Sequence, residues 1–484
     1  MSKHSPIYMK SLDVSQAKAW LTEGKKHRLS PLPVKPKKTH SGAEIFVDLD
    51  HPRQTIEGFG GAITESSAFT LAEMPASVRK KVLQAFFDPK KGNGFTLCRT
   101  HINTCDFSLD FHACAEKPGD TSLSSFNLER EKKWVIPFIR AAAKIAGRKI
   151  SILASPWSPP AWMKSTGKME QGGKLLEKYK STWANYYVRF IQEMGKEKCP
   201  IWAITVQNEP EAKQTWESCI YTAEDERDFV RDHLGPALWK AGLKNVHLVI
   251  WDHNRDRLFQ RAKTVYDDAR AAKYVWGAAM HWYMGHFFEN AAVLHEAYPD
   301  KRLIFTEGCV GGWNKSGQDR QVAWGENYGA NIIADLNRWT CGWIDWNLIL
   351  NETTGPQHAR EPGCVAPVMY DRKKKKADFQ MGYYYMGHFS RFIRPGARGL
   401  ITAKSSDHLD TTAAVNKDGS VAVVVLNRTD NAIPFYITSK DNSPLTAACL
   451  RGEVHYTPQK GESIPLKSPA HSIITVLIPP KRKR

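Results

Sequence analysis

No stretch of the 484-residue chain approaches the roughly 20 consecutive apolar residues that a spanning helix requires. The longest uninterrupted runs, such as Val421 to Leu426, are short. A helical membrane span is therefore excluded. The opening residues, MSKHSPIYMKSLDVSQ, contain no apolar h-region of secretory length. We expect a cytoplasmic protein, or a mature chain whose signal has been removed or that is exported by another route. Among nine cysteines there is no C-x-x-C pair, and no H-E-x-x-H occurs, so the usual zinc and redox frameworks are missing. The odd number and irregular spacing read as scattered reduced thiols. No G-x-G-x-x-G opens a βα unit; Gly58-Phe59-Gly60-Gly61 reads as a strand end or tight turn. Neither a metal nor a cofactor is expected.

What is present is an ordinary globular composition, 42% hydrophobic and 24% charged, which excludes disorder across the whole chain. The net charge of +18 is concentrated: residues 1–40 carry +7, Arg372 to Lys376 +5, and Lys481-Arg482-Lys483-Arg484 +4. Such runs are solvated tails or loops. No base-reading module accompanies them, so nucleic acid is not an expected partner. The terminal KRKR fits a nuclear address only as a short, unspecific pattern.

Residues 1–43 read as a basic N-terminal extension with one short helix around Val14 to Leu21, followed by a proline- and lysine-rich linker over 29–42. From 44 to 394, eight strand-type runs alternate with segments of helical period. The runs are 54–63, 95–102, 150–154, 201–206, 246–251, 274–283, 303–306 and 343–348, and the helical segments include 76–87, 131–146, 176–194, 223–240 and 321–339. Eight parallel β/α units close a (β/α)8 TIM barrel. From 395 to 480, short β-type runs separated by turn residues predict an attached antiparallel β-sandwich domain. These runs are 400–403, 410–415, 421–426, 432–437, 446–450 and 472–478. The strand Glu44–Leu49 is expected to pair with that sandwich. Residues 481–484 form a basic tail.

In a barrel, chemistry sits at the C-terminal ends of the strands. Strand four ends in Gln207-Asn208-Glu209-Pro210 and strand seven in Thr306-Glu307-Gly308. A carboxylate directly after an apolar strand is costly unless it faces a polar cleft. Alone, each glutamate would read as a helix N-terminal charge. Together, on opposite sides of the mouth, they read as the carboxylate pair of a glycosidase. Several of the sixteen tryptophans fall at other strand ends, in Ser155-Pro156-Trp157-Ser158, His281-Trp282-Tyr283 and Trp343-Ile344-Asp345-Trp346-Asn347. Aromatic faces suit sugar rings, though each tryptophan alone reads equally as core packing.

Five segments carry a specific resemblance: Gly58 to Glu65, Ala154 to Lys164, Gln207-Asn208-Glu209-Pro210, His281-Trp282-Tyr283 and Phe305 to Gly311. Together they resemble glycoside hydrolase family 30, which includes glucosylceramidases and β-1,6-glucanases, over about residues 44–480. The resemblance implies that Glu209 is the acid/base and Glu307 the nucleophile. It implies that Asn208 binds the sugar 2-hydroxyl, and that Asp106, Trp157 and Trp346 line the glucose subsite. His281 and Tyr283 would stand beside the catalytic pair, with Arg99 behind it, orienting the carboxylates. A retaining double displacement follows, in which Glu209 needs a raised pKa and Arg99 helps hold Glu307 ionised.

The segment Trp251 to Arg257 is similar to the β-1,6-glucanase branch, and Asn351 to Asp371 departs from the glucosylceramidases. The partner is therefore a carbohydrate or glycolipid, with the group beyond the glucose open between a lipid and a second sugar. A catalytically idle glycan-binding protein on the same scaffold, an adaptor acting through its basic tails, and a xylanase of the family are the alternatives; endo or exo action and oligomeric state are not legible. Asn314, Asn351 and Asn427 head N-x-S/T triplets that read as chance without secretion.

Overall fold

The computed structural model describes residues 12–35, 41–312, 320–359, 363–439 and 464–480. Eight parallel strands close a barrel. We label them β1 (Gly58–Ala62), β2 (Leu97–Ile102), β3 (Ser151–Pro156), β4 (Ile201–Thr205), β5 (His247–Asn254), β6 (Val275–His281), β7 (Arg302–Glu307) and β8 (Thr340–Asn347). Each falls on one of the eight runs read from the sequence. Gly58-Phe59-Gly60-Gly61, read above as a strand end or tight turn, is strand β1 itself. Its glycines permit close strand approach: a Cβ on Gly60 would lie 1.8 Å from the Leu97 carbonyl oxygen.

The segment read as a single helix over 131–146 divides at Trp134 into Glu129–Lys133 and Val135–Ala146, the second ending on Gly147 in the left-handed conformation (φ 64°). The segment 223–240 begins with a capping box, in which Thr222 accepts from the Asp225 N–H and Asp225 accepts in return. It then passes through a π turn at Val230–Leu234 before Gly235–Lys240.

The chain divides into two compact units, 58–320 with 338–383, and 1–57 with 321–337 and 384–484. The first differs from the expected 44–394 in lacking residues 44–57, 321–337 and 384–394; the helix Gln321–Leu336 goes with the second unit, where its Gly325 lies so close to the Tyr385 ring that a Cβ would approach it to 2.4 Å. The second unit carries a nine-stranded sheet. Its pairs are antiparallel except one, where Ala43–Asp48 runs parallel to Ile433–Ser439. Ala43–Asp48 also pairs antiparallel with Arg398–Lys404, as the expected strand near Glu44 required.

The N-terminal extension departs from expectation. Instead of a helix near Val14 to Leu21, only a capped turn at Val14–Gln16 precedes a strand, Lys18–Glu23, which pairs with Ser472–Ile478 and with His27–Leu32. Alternation decides it: Ala19 and Leu21 are both buried in the sheet's apolar core. The start of the expected linker is thus strand. The expected run 446–450, the Asn314 triplet and the tail 481–484 lie outside the described residues. The basic run Arg372 to Lys376 is an exposed hairpin turn between Val368–Asp371 and Lys376–Phe379. The side chains of Asn351 and Asn427 are buried and hydrogen-bonded within the chain. No described helix is long and apolar enough to cross a membrane.

Candidate active site

Along a strand, every second side chain faces the same way. In the barrel interior, Leu97, Leu153, Ala203, Ala279 and Ile304 pack in one buried apolar cluster. Two residues further along the same strands stand Arg99, Ser155, Thr205, His281 and Thr306, all buried and all polar. The mouth is thus built by a change of residue type, with no change of backbone period.

Strand β5 breaks that period. Its pairing with β6 slips between Ile250 and His253, and Trp251 and Asp252 adopt φ of 71° and 52°. A bulge of this kind re-aims a side chain. Asp252 is thereby turned inward, where Oδ2 accepts from Arg99 and Thr205, both at 2.7 Å. Its Oδ1 accepts from Thr306 at 2.6 Å and from His281 Nε2 at 3.0 Å. A second slip, on β7 between Phe305 and Glu307, allows the adjacent Thr306 and Glu307 both to serve the interior.

Arg99 is fully buried and binds four partners: Glu307 Oε2, Asp252, Asn208 Oδ1 at 2.8 Å and Ser155 Oγ at 3.1 Å. Its guanidinium lies 4.7 Å from the Trp157 ring and 5.5 Å from that of Trp346. The two indoles stack with centroids 5.2 Å apart. Tyr283 donates to the other oxygen of Glu307 at 2.9 Å. Glu209 follows β4 in a left-handed backbone conformation, φ 46°. That conformation costs on the order of 1 kcal/mol or more and is held by its N–H bonding the Asp252 carbonyl at 3.0 Å. Nδ1 of His281 donates to Glu209 Oε1 at 3.2 Å. Oxygens of Glu209 and Glu307 and a His281 nitrogen all lie within 4.8 Å of one another.

The electrostatics correct one expectation. Burial works to raise the Glu209 carboxyl, but the His281 hydrogen bond and the charges of His253, His281 and Arg99 prevail and hold it low. For Glu307, burial together with the neighbouring Glu209 outweighs His281, Arg99 and Tyr283, and its pKa is raised. In the free site the acidic proton therefore rests on His281. Burial opposes that charge, but Glu307, Asp252 and Glu209 push its pKa up to about 9. With both ring nitrogens donating, His281 offers no lone pair. Glu209, His281, Asp252, Arg99 and Glu307 are thereby joined in one charged hydrogen-bond chain.

Asp106, in the loop after β2, has a buried oxygen without a hydrogen-bond partner among the described residues. Burial first, then the negative charge of Glu307, raises its pKa far above the carboxylate range. All nine residues singled out from the sequence thus gather at one end of the barrel. Asp252 does not appear among them. Alternation from Val249 points Trp251 inward, and only the bulge substitutes Asp252.

The family model for the glycosyl hydrolase family 30 TIM-barrel domain matches residues 56–393, and that for the family's β-sandwich domain matches 397–476. Lysosomal acid glucosylceramidase of Mus musculus is 34% identical over 453 residues, covering 90% of this chain and 87% of its own. The crystal structure of SrfJ from Salmonella typhimurium superposes with a TM-score of 0.87 at 30% identity, covering 97% of this chain and all of that one. The endo-β1,6-glucanase BT3312 gives 0.84 at 28%, covering 96% and 99%. With both domains matched in order and the paired carboxylates at the barrel mouth, the chain belongs to glycosyl hydrolase family 30 and is a glycosidase.

Proposed function

We propose that the protein hydrolyses β-glucosides with retention of configuration, Glu307 acting as nucleophile and Glu209 as acid/base. The observation that carries this reading is the approach of the two carboxylates to within 4.8 Å. Retaining enzymes hold their carboxyls about 5–5.5 Å apart, whereas inverting ones leave roughly 6.5–9.5 Å for a water between them. Glu307 attacks the anomeric carbon and forms a glycosyl ester. Arg99 and Tyr283 hold its two oxygens in line for attack. Glu209 takes the proton of Nδ1 of His281 as it passes one to the departing oxygen, and is left ionised beside a neutral His281. Glu209 then takes a proton from the water that cleaves the ester. Asp252, bonded to both Arg99 and His281, keeps both cations charged. The unpartnered oxygen of Asp106 suits a sugar hydroxyl, and the Trp157–Trp346 stack suits a wall of the glucose subsite.

For the leaving group, the loop after β6 supports a lipid. Beyond Tyr283 it presents Met284 at 62% and Phe287 at 52% exposure. Apolar side chains this exposed beside a polar subsite fit the alkyl portion of a glucosylceramide-type substrate. The likeness to an endo-β1,6-glucanase favours a second reading, in which the next group is another glucose. Product analysis on glucosylceramide in detergent and on a β-1,6-linked gluco-oligosaccharide, with Glu307→Gln as blank, separates them. Ceramide release with an intact oligosaccharide supports the lipid reading. A shortened oligosaccharide with intact glycolipid replaces it with the second, and turnover surviving in the blank overturns the assignment of Glu307.

A further inference from the structure

Six of the eight described cysteines are buried; only Cys309 and Cys364 reach solvent, and those two face each other with sulfurs 3.3 Å apart. Cys309 lies two residues beyond Glu307, and Cys364 belongs to the segment after β8. Val365 N–H donates to the Val310 carbonyl at 2.8 Å and holds the two segments side by side. A disulfide requires a sulfur separation of about 2.05 Å, so closure asks for a movement of about 1.3 Å. The Tyr283 hydroxyl stands 3.8 Å from the Cys309 sulfur while it holds Glu307.

We propose that Cys309 and Cys364 form a reversible disulfide that turns the enzyme off, with a low-molecular-weight disulfide such as oxidised glutathione as oxidant. One cysteine thiolate attacks the oxidant, expels one thiolate and leaves a mixed disulfide. The second cysteine sulfur then attacks its neighbour's sulfur and expels the second thiolate. Two protein thiols are oxidised, one small disulfide is reduced to two thiols, and the two protons pass to those thiols. The bond draws Cys309 toward Cys364 and away from Tyr283, and the strand end bearing Glu307 moves with it. A displacement on the order of 1 Å at reacting groups lowers turnover by up to about 100-fold. The hydrogen bond between the sulfurs, and then burial, keep Cys309 protonated at neutral pH. The pair therefore stays reduced until oxidant accumulates.

The effect on turnover rests on the hydrolase reading; the bond itself does not. Fully reduced protein is incubated with graded oxidised glutathione, alkylated, and mapped by mass spectrometry without reduction, in parallel with turnover of an aryl β-glucoside. A linked Cys309–Cys364 peptide, a loss of about 10- to 100-fold in turnover and recovery with dithiothreitol are expected. Cys364→Ser, or Cys364→Ala if the serine variant fails to fold, should keep basal turnover and lose both linkage and inhibition. The proposal is overturned if only glutathione adducts form, if linkage leaves turnover unchanged, or if the Cys364 variant is inhibited as the parent is. The peptide map remains decisive even for a protein inert toward every glucoside, so the two readings fail separately.

Discussion

The two layers of the barrel interior use the same strands for opposite ends. Leu97 and Arg99 stand on one strand, Leu153 and Ser155 on another, Ala279 and His281 on a third, two residues apart in each case. The lower member of each pair is held by packing alone. The upper member is held by bonds to other charged groups, above all to Asp252. Damage should therefore read out differently: lost stability with intact chemistry below, lost chemistry above.

The sharpest test of the upper layer is Glu307→Gln, which should cut turnover on the order of 10⁴-fold or more while the protein remains folded. Glu209→Gln should cost less on an aryl glucoside, whose acidic leaving group departs without a proton, than on an alkyl glucoside. Equal losses on the two would remove Glu209 from the acid role.

Asp252→Asn comes next. It leaves Arg99 and His281 with one fewer anion in a buried site, and breaking such a network costs about 3–5 kcal/mol. Turnover should fall about 100-fold, and the basic limb of the kcat/KM profile should shift to lower pH as His281 loses a partner. A stability loss with an unmoved pH profile would make Asp252 merely structural.

In the lower layer, Leu153→Ala should destabilise by about 2–5 kcal/mol through a cavity, with kcat unchanged well below the melting temperature. A large fall in kcat at full folding would erase the distinction between the layers.

The smallest effects are those of pH on the parent protein. The folded pKa of His281, about 9, lies above the ordinary value near 6.5. Its contribution to stability is therefore complete below about 6.5 and lost as pH rises through about 9. The basic limb of kcat/KM should fall in the same window. The acid limb should lie above the usual glutamate value, because the pKa of Glu307, the proposed nucleophile, is raised and its carboxylate is protonated early as pH falls. Thermal melts and kcat/KM profiles over the same buffers check both.

Period and residue type carried most of the fold into view. Strands of alternating or apolar run, separated by helical segments, allow few arrangements, and carboxylates after strands four and seven, taken as a pair, pointed to the mouth. Alternation was also the signal that could have found the N-terminal strand Lys18–Glu23, but proline and lysine nearby masked it. The helix Gln321–Leu336 follows the barrel's sequence rhythm, yet it belongs with the sheet unit, where its small face at Gly325 packs on Tyr385 of the same unit.

By itself the sequence determined the eight-unit barrel, the sheet domain, the glutamate pair and the aromatic residues around it, because these follow from local period and from the cost of burying charge. Only the tertiary structure decided Asp252, the pKa order of the two glutamates and the meeting of Cys309 with Cys364. A bulge depends on pairing with a neighbouring strand. A pKa depends on every charge brought within a few ångströms. A thiol pair 55 residues apart in the chain exists only once two loops lie side by side.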